Sequence, residues 1–136
     1  MIAILGALLI TTAHGQSQPI NKVTKALLSA ISQLESNKQL DSVRINKNGT
    51  VDLGPFQINS VNWSKCVGLK LQSYQGGAAC ATRLLNKHLK RASHDPCWFA
   101  SYHSKTPQKK IYYCKKINEI LKNNVEVSLK GADEMI

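Results

Sequence analysis

The sequence predicts a mainly α-helical domain with a small β-hairpin, closed by two disulfides. Three observations carry this. Residues 21–34 and 77–92 each repeat apolar side chains at helical spacing. Between them, Asn46-Lys47-Asn48-Gly49-Thr50 is a turn signal, because Asn and Gly accept positive φ. The chain also has four cysteines, Cys66, Cys80, Cys97 and Cys114, an even count that suits two bridges in a small exported domain. At 136 residues and 43% hydrophobic, it is long enough for one domain with a real core.

The N-terminus carries an apolar run, Ile2 to Ile10, followed by Ala13-His14-Gly15, a small-x-small cleavage pattern. The run is shorter than the ~20 residues that span a bilayer, so residues 1–15 are expected to be a secretory signal. No Lys or Arg precedes the run, which departs from the usual signal and leaves an uncleaved membrane-anchored helix as the alternative. Residues 16–123 then form the domain, and 124–136 are expected to be a loosely ordered tail.

In residues 21–34, Val23, Ala26/Leu27, Ala30/Ile31 and Leu34 share one face, with Asn21 as the expected cap. Glu35 and Ser36 fall in the last turn, where the helix leaves the core. Residues 37–53 lack periodicity, and Arg44-Ile45 and Thr50-Val51 flank the turn signal as a short hairpin. Gly54 to Trp63 turns the chain and suggests a short helix, while 64–75 read ambiguously. In 77–92, Ala81, Leu84/Leu85, His88/Leu89 and Ala92 form the inner stripe. Asp95-Pro96 opens a short helix through Trp98, Phe99 and Tyr102. Thr106-Pro107 opens a last helix to about Asn123, with Ile111, Cys114, Ile117/Asn118 and Leu121 facing inward.

Four cysteines allow three connectivities. The last two helices make a hairpin centred near Lys105, which sets Cys97 and Cys114 across from each other. That favours Cys97–Cys114 and leaves Cys66–Cys80. No Cys-x-x-Cys pair occurs, so zinc-ribbon and thioredoxin readings are poor.

Lys and Arg number 18 against 8 Asp and Glu, a formal charge of +10. This suits an anionic partner: nucleic acid, an anionic membrane or an acidic wall polymer. Export argues against nucleic acid. A merely solvated charged face reads the same way.

Glu35 ends an apolar helical face and so can be partly desolvated. Desolvation raises a carboxyl pKa and favours proton donation near neutral pH. By position alone, an ordinary solvated helix end is the commoner outcome. The neighbouring pattern changes this. Glu35-Ser36 is followed by Asn48-Gly49 and then Asp52-x-Gly54-x-x-Gln57-Ile58-Asn59-Ser60. Downstream come Ala100-Ser101-Tyr102-His103 and Tyr113-x-x-x-Ile117. In this order, over roughly residues 21–121, the motifs resemble the small lytic transglycosylases of the lysozyme-like (SLT domain) superfamily. Those that the chain resembles accompany bacterial type III and type IV secretion, conjugation and type IV pili. The step of 17 residues from Glu35 to Asp52 also resembles animal lysozymes. Those carry more cysteines than the four here and lack the Tyr102 segment.

The resemblance implies an α+β lysozyme-like fold, with helices around a cleft. It implies that Glu35 is the sole acid/base, cleaving the bond between N-acetylmuramic acid and N-acetylglucosamine with formation of a 1,6-anhydromuramoyl end. Ser36, Gln57, Tyr102, His103 and Tyr113 would bind the glycan or shape the site around it. Asp52 would lie near the site, as a turn residue, a charge stabiliser or, in a hydrolytic muramidase, a second catalytic group. A glycan-binding assembly protein without activity is the remaining alternative. The usual Gly-Leu-Met-Gln is Gly54-Pro55-Phe56-Gln57 here, the usual Asn is His103, and Gly76-Gly77 replaces an Asn-Ile. His14, His88 and His94 share no metal-ligand spacing, so no cofactor is expected. The implied partners are peptidoglycan strands and secretion or conjugation apparatus proteins, met in the periplasm by a monomer.

Overall fold

The computed structural model describes residues 19–134, so the expected signal over 1–15, His14 included, lies outside the described residues. The chain is mainly helical, with a small sheet and two disulfides, as the sequence predicts. In order come α1 (Lys25–Ser36), β1 (Val43–Ile45), β2 (Val51–Leu53), β3 (Ile58–Asn59), a 3₁₀ helix (Ser60–Cys66), α2 (Tyr74–Arg91), a second 3₁₀ helix (Trp98–Tyr102) and α3 (Pro107–Glu134).

α1 starts at Lys25, later than the periodicity suggests. Thr24 is extended, and its Oγ1 accepts from the Leu27 amide at 3.0 Å, so Thr24 rather than Asn21 caps the helix. The reason is tertiary: the Trp98 indole donates to the Ile20 carbonyl at 2.6 Å, tying that segment to the second 3₁₀ helix. At the other end, Asn37 and Lys38 both adopt left-handed backbone and donate to the Gln33 and Ser32 carbonyls. Asn tolerates this conformation well. It stops the helix at Ser36.

The sheet is antiparallel in the order β1-β2-β3, with Arg44 opposite Asp52 and Asp52 opposite Asn59. The hairpin turns at the expected place: the Asn46 amide donates to the Thr50 carbonyl, and Gly49 takes φ +85°. β3 was not expected, since two residues are too few to show alternation. The turn before it, Gly54 to Gln57, closes with the Gln57 amide on the Gly54 carbonyl at 3.0 Å. Gly54 has φ +80°, and a Cβ there would overlap the Leu71 carbonyl oxygen, so only glycine fits.

α2 begins at Tyr74, earlier than expected, because the Ser73 hydroxyl caps the Gly76 amide at 3.0 Å. Asp95 accepts from the Cys97 amide at 2.8 Å, so Asp95-Pro96 makes a turn and the following segment is 3₁₀, not α. α3 runs beyond the end expected for the last helix. It continues past Asn123 to Glu134, with Val125, Val127 and Leu129 exposed. No proline or glycine interrupts it before Gly131, and the intervening residues tolerate helix.

The core joins Leu27, Ala30 and Ile31 of α1 with Phe56, Ile58, Ala81, Leu85, Trp98, Phe99 and Ile117. Trp98 and Phe99 meet edge to face at 5.8 Å. The disulfides are Cys97–Cys114 and Cys66–Cys80, as the hairpin placement favours. They suit an oxidising compartment. Among the described residues, no helix is long and apolar enough to cross a membrane.

Thr24→Ala is expected to lower unfolding free energy by about 1 kcal/mol, and Asn21→Ala to leave it unchanged within error. Urea denaturation followed by circular dichroism checks both.

Candidate active site

The end of α1 meets the sheet across a cleft of about 700 Å³, lined by Glu35, Asp52, Gln57, Tyr102 and His103 among others. That volume is within the ordinary range for ligand sites. The Glu35 side chain is only 8% exposed, although it sits at a helix end. Its neighbour Ser36 turns away from the cleft. The Ser36 hydroxyl donates to the Pro55 carbonyl at 2.7 Å, with the Ser32 carbonyl a longer acceptor at 3.3 Å, and accepts from the Gln39 amide at 3.2 Å. Ser36 therefore stitches the helix end to the Gly54–Gln57 turn.

Gln57 sits in left-handed backbone, φ +50°, which is uncommon for a side chain of its kind. Its Nε2 donates to Gly54 O at 2.9 Å and Ser42 O at 3.2 Å, so half of the amide braces the turn. Its Oε1 is buried and has no hydrogen-bond partner among the described residues.

Tyr102 donates to the Phe56 carbonyl at 2.6 Å. Its ring reaches the cleft, while its hydroxyl is enclosed. Burial, then the charges of Glu35 and Asp52, push its pKa well above the usual tyrosine range. It stays a neutral phenol at any physiological pH. Tyr113 is 2% exposed and lies behind the site. Its hydroxyl makes no formed hydrogen bond, yet it is near enough to Glu35 to feel that carboxylate. Burial first, and then Glu35, push the Tyr113 pKa well up. The His103 ring stacks on Tyr113, centroids 4.8 Å apart and 8° from parallel. This brings His103 Nδ1 to 3.5 Å from Glu35 Oε2, an ion pair when the imidazole is protonated. Glu35 thus lies against the stacked pair of His103 and Tyr113.

Asp52 is held differently. Asn59 Nδ2 donates to its Oδ1 at 2.8 Å, and Asn46 Nδ2 to its Oδ2 at 3.1 Å. Both amides also donate to the Thr50 hydroxyl, which itself donates to Asn48 Oδ1 at 2.7 Å. Two donors fix the direction of this carboxylate. Asn46 and Asn59 are functional neighbours that sequence reasoning missed. Asn46 read only as a turn residue, and Asn59 faces Asp52 only because β3 pairs with β2.

The cleft rim carries Arg44, Lys47 and Lys109, a cationic border suited to an anionic polymer. Among the described residues, no cluster of His, Cys, Asp and Glu could hold a metal ion. Comparisons with protein-family models, curated proteins and solved structures return no match for this chain.

Tyr102→Phe leaves the buried Phe56 carbonyl without its donor. It is expected to cost about 1–3 kcal/mol of stability in urea denaturation. Ser36→Ala, which similarly strips the Pro55 carbonyl, is expected to cost about as much.

Proposed function

We propose that the chain is a periplasmic lytic transglycosylase that cleaves peptidoglycan between N-acetylmuramic acid and N-acetylglucosamine. The observation that carries this reading is the contrast between its two cleft carboxyls. Glu35 is shielded, backed by phenols and free of protein donors of full strength. Asp52 is committed to two asparagine amides. One group suits proton transfer, and the other suits a fixed negative charge.

In the first step Glu35 gives its proton to the glycosidic oxygen as the bond from C1 to that oxygen breaks. Positive charge develops on the muramoyl ring, and Asp52 stabilises it across the cleft. In the second step the muramoyl 6-hydroxyl oxygen attacks C1, and its proton passes to Glu35. The acid is restored, a 1,6-anhydro ring forms and no water is consumed. The substrate supplies the nucleophile, so no second catalytic carboxylate is required. Gln57 holds the turn that forms one wall of the cleft. His103 keeps Glu35 Oε2 in place and leaves the other oxygen for the substrate. The basic rim attracts the carboxylates of the stem peptides. The pattern of motifs further supports a local role, opening the wall for a secretion or conjugation machine whose proteins would be its partners.

A second reading is a hydrolytic muramidase. Asp52 favours it, because this carboxylate lines the same cleft as Glu35.

The proposal is tested with Glu35→Gln and Asp52→Asn on purified peptidoglycan, following release of soluble muropeptides. Glu35→Gln is expected to lose at least ~100-fold in rate. Asp52→Asn is expected to lose only about tenfold, the loss of roughly 1.4 kcal/mol of charge stabilisation. Unimpaired release by Glu35→Gln refutes the mechanism. A loss with Asp52→Asn as deep as with Glu35→Gln supports the muramidase instead. Absence of release by the wild type leaves a glycan-binding protein.

A further inference from the structure

We propose that the outer face of α2, with the loop before it, is a docking surface for an anionic lipid bilayer. This lies apart from the cleft and does not depend on the reaction proposed above. The first observation is in the sequence. Between Asp52 and Asp95 there is no acidic residue, yet this stretch holds Lys65, Lys70, Arg83, Lys87, Lys90 and Arg91. The fold concentrates these charges instead of dispersing them. α2 buries Gly77, Cys80, Ala81, Leu84 and Leu85, which points Arg83, Lys87 and Lys90 the other way. Those three line an open groove of about 620 Å³ that no acid enters.

Neighbouring elements add to the cluster. Arg83 Nη1 donates to the Lys65 carbonyl at 3.1 Å, which folds the end of the first 3₁₀ helix onto α2. Lys65, then Arg91 and Lys105, are close enough to push the Lys87 ammonium's pKa down. His88 is pushed down by its own burial and then by Arg91 and Lys87, so it adds no charge of its own. Cations from the loop, from α2 and from the approach to α3 therefore crowd one another without a counter-charge. Such crowding is relieved when a surface of many negative charges lies against it.

What selects a bilayer over a free anion or a wall polymer is Val67. It is 81% exposed, two residues after Lys65, on a loop pinned through Cys66 to Cys80 of α2. A projecting apolar side chain beside a cationic helix face matches an interface of anionic headgroups over acyl chains. Peptide carboxylates and inorganic phosphate offer nothing to the valine. Of α2, only the inward-facing Leu84 lines the cleft, whose cationic rim is Arg44, Lys47 and Lys109. The enzyme can therefore rest on a membrane through α2 and keep its cleft open to the wall.

The test is co-sedimentation of the purified protein with vesicles of phosphatidylglycerol and phosphatidylcholine, and with phosphatidylcholine alone. Binding is expected only to the anionic vesicles, falling as salt rises. The triple variant Arg83→Glu, Lys87→Glu, Lys90→Glu is expected to lose about 100-fold in vesicle affinity. Lys22→Glu, Lys25→Glu, Lys38→Glu makes the same change of charge at exposed positions outside the groove. It is expected to lose less than about fivefold. Val67→Ser, which removes the apolar side chain without changing the charge, is expected to weaken vesicle binding while leaving retention on a soluble polyanion column unchanged. Circular dichroism confirms that each variant folds. Equal losses in the two triple variants would mean diffuse attraction and overturn the proposal. So would absence of binding to anionic vesicles, or displacement from them by soluble peptidoglycan fragments acting on the same three residues.

Discussion

The arrangement depends on how the Gly54–Gln57 turn is gripped. Pro55 and Phe56 are fully buried, so their carbonyls need donors from within the protein. Ser36 supplies one from the end of α1, and Tyr102 supplies the other from the second 3₁₀ helix. The Gln57 side chain ties the same turn to Ser42, at the start of the hairpin. Three parts of the chain, distant in sequence, thus share one four-residue turn. The turn sets the sheet against the end of α1, and with it Asp52 in the cleft that Glu35 also lines.

This also accounts for the departures at the turn. Proline at the second position of a tight turn supplies a suitable φ and lacks only an N–H. The closing bond uses the Gln57 amide and the Gly54 carbonyl, so nothing is lost. Phe56 is larger than the Met expected from the resemblance read in the sequence. Space for it comes from Gly77, where a Cβ would stand 2.8 Å from Phe56 Cδ2, and Tyr74 covers the ring at 5.2 Å. The unusual turn and the unusual glycine at the start of α2 are one accommodation.

Much of the fold was legible because it rests on local chemistry. Apolar spacing located the three long helices, and the hairpin of the last two located Cys97 against Cys114. Glu35 was legible as the polar end of an apolar face. What escaped depends on contacts distant in sequence. Trp98 on Ile20 moved the start of α1, and no feature of residues 19–25 announces it. The grip of Asn46 and Asn59 on Asp52 requires the register of β3, a strand too short to be read. Ser36 suggested a sugar contact until the turn placed a buried carbonyl within its reach. The stacking of His103 on Tyr113 brings together two motifs that the sequence separates, and it alone explains why a histidine next to Tyr102 reaches Glu35.

The cleft thus holds one enclosed carboxyl and one tethered carboxylate, and the proposed chemistry depends on which of them acts. Mass spectrometry of muropeptides released in ¹⁸O-labelled water reads this directly. If Glu35 works alone with the muramoyl 6-hydroxyl, the products carry 1,6-anhydromuramoyl ends, lighter by one water and free of ¹⁸O. Reducing ends that incorporate ¹⁸O would contradict this and make Asp52 a participant in hydrolysis.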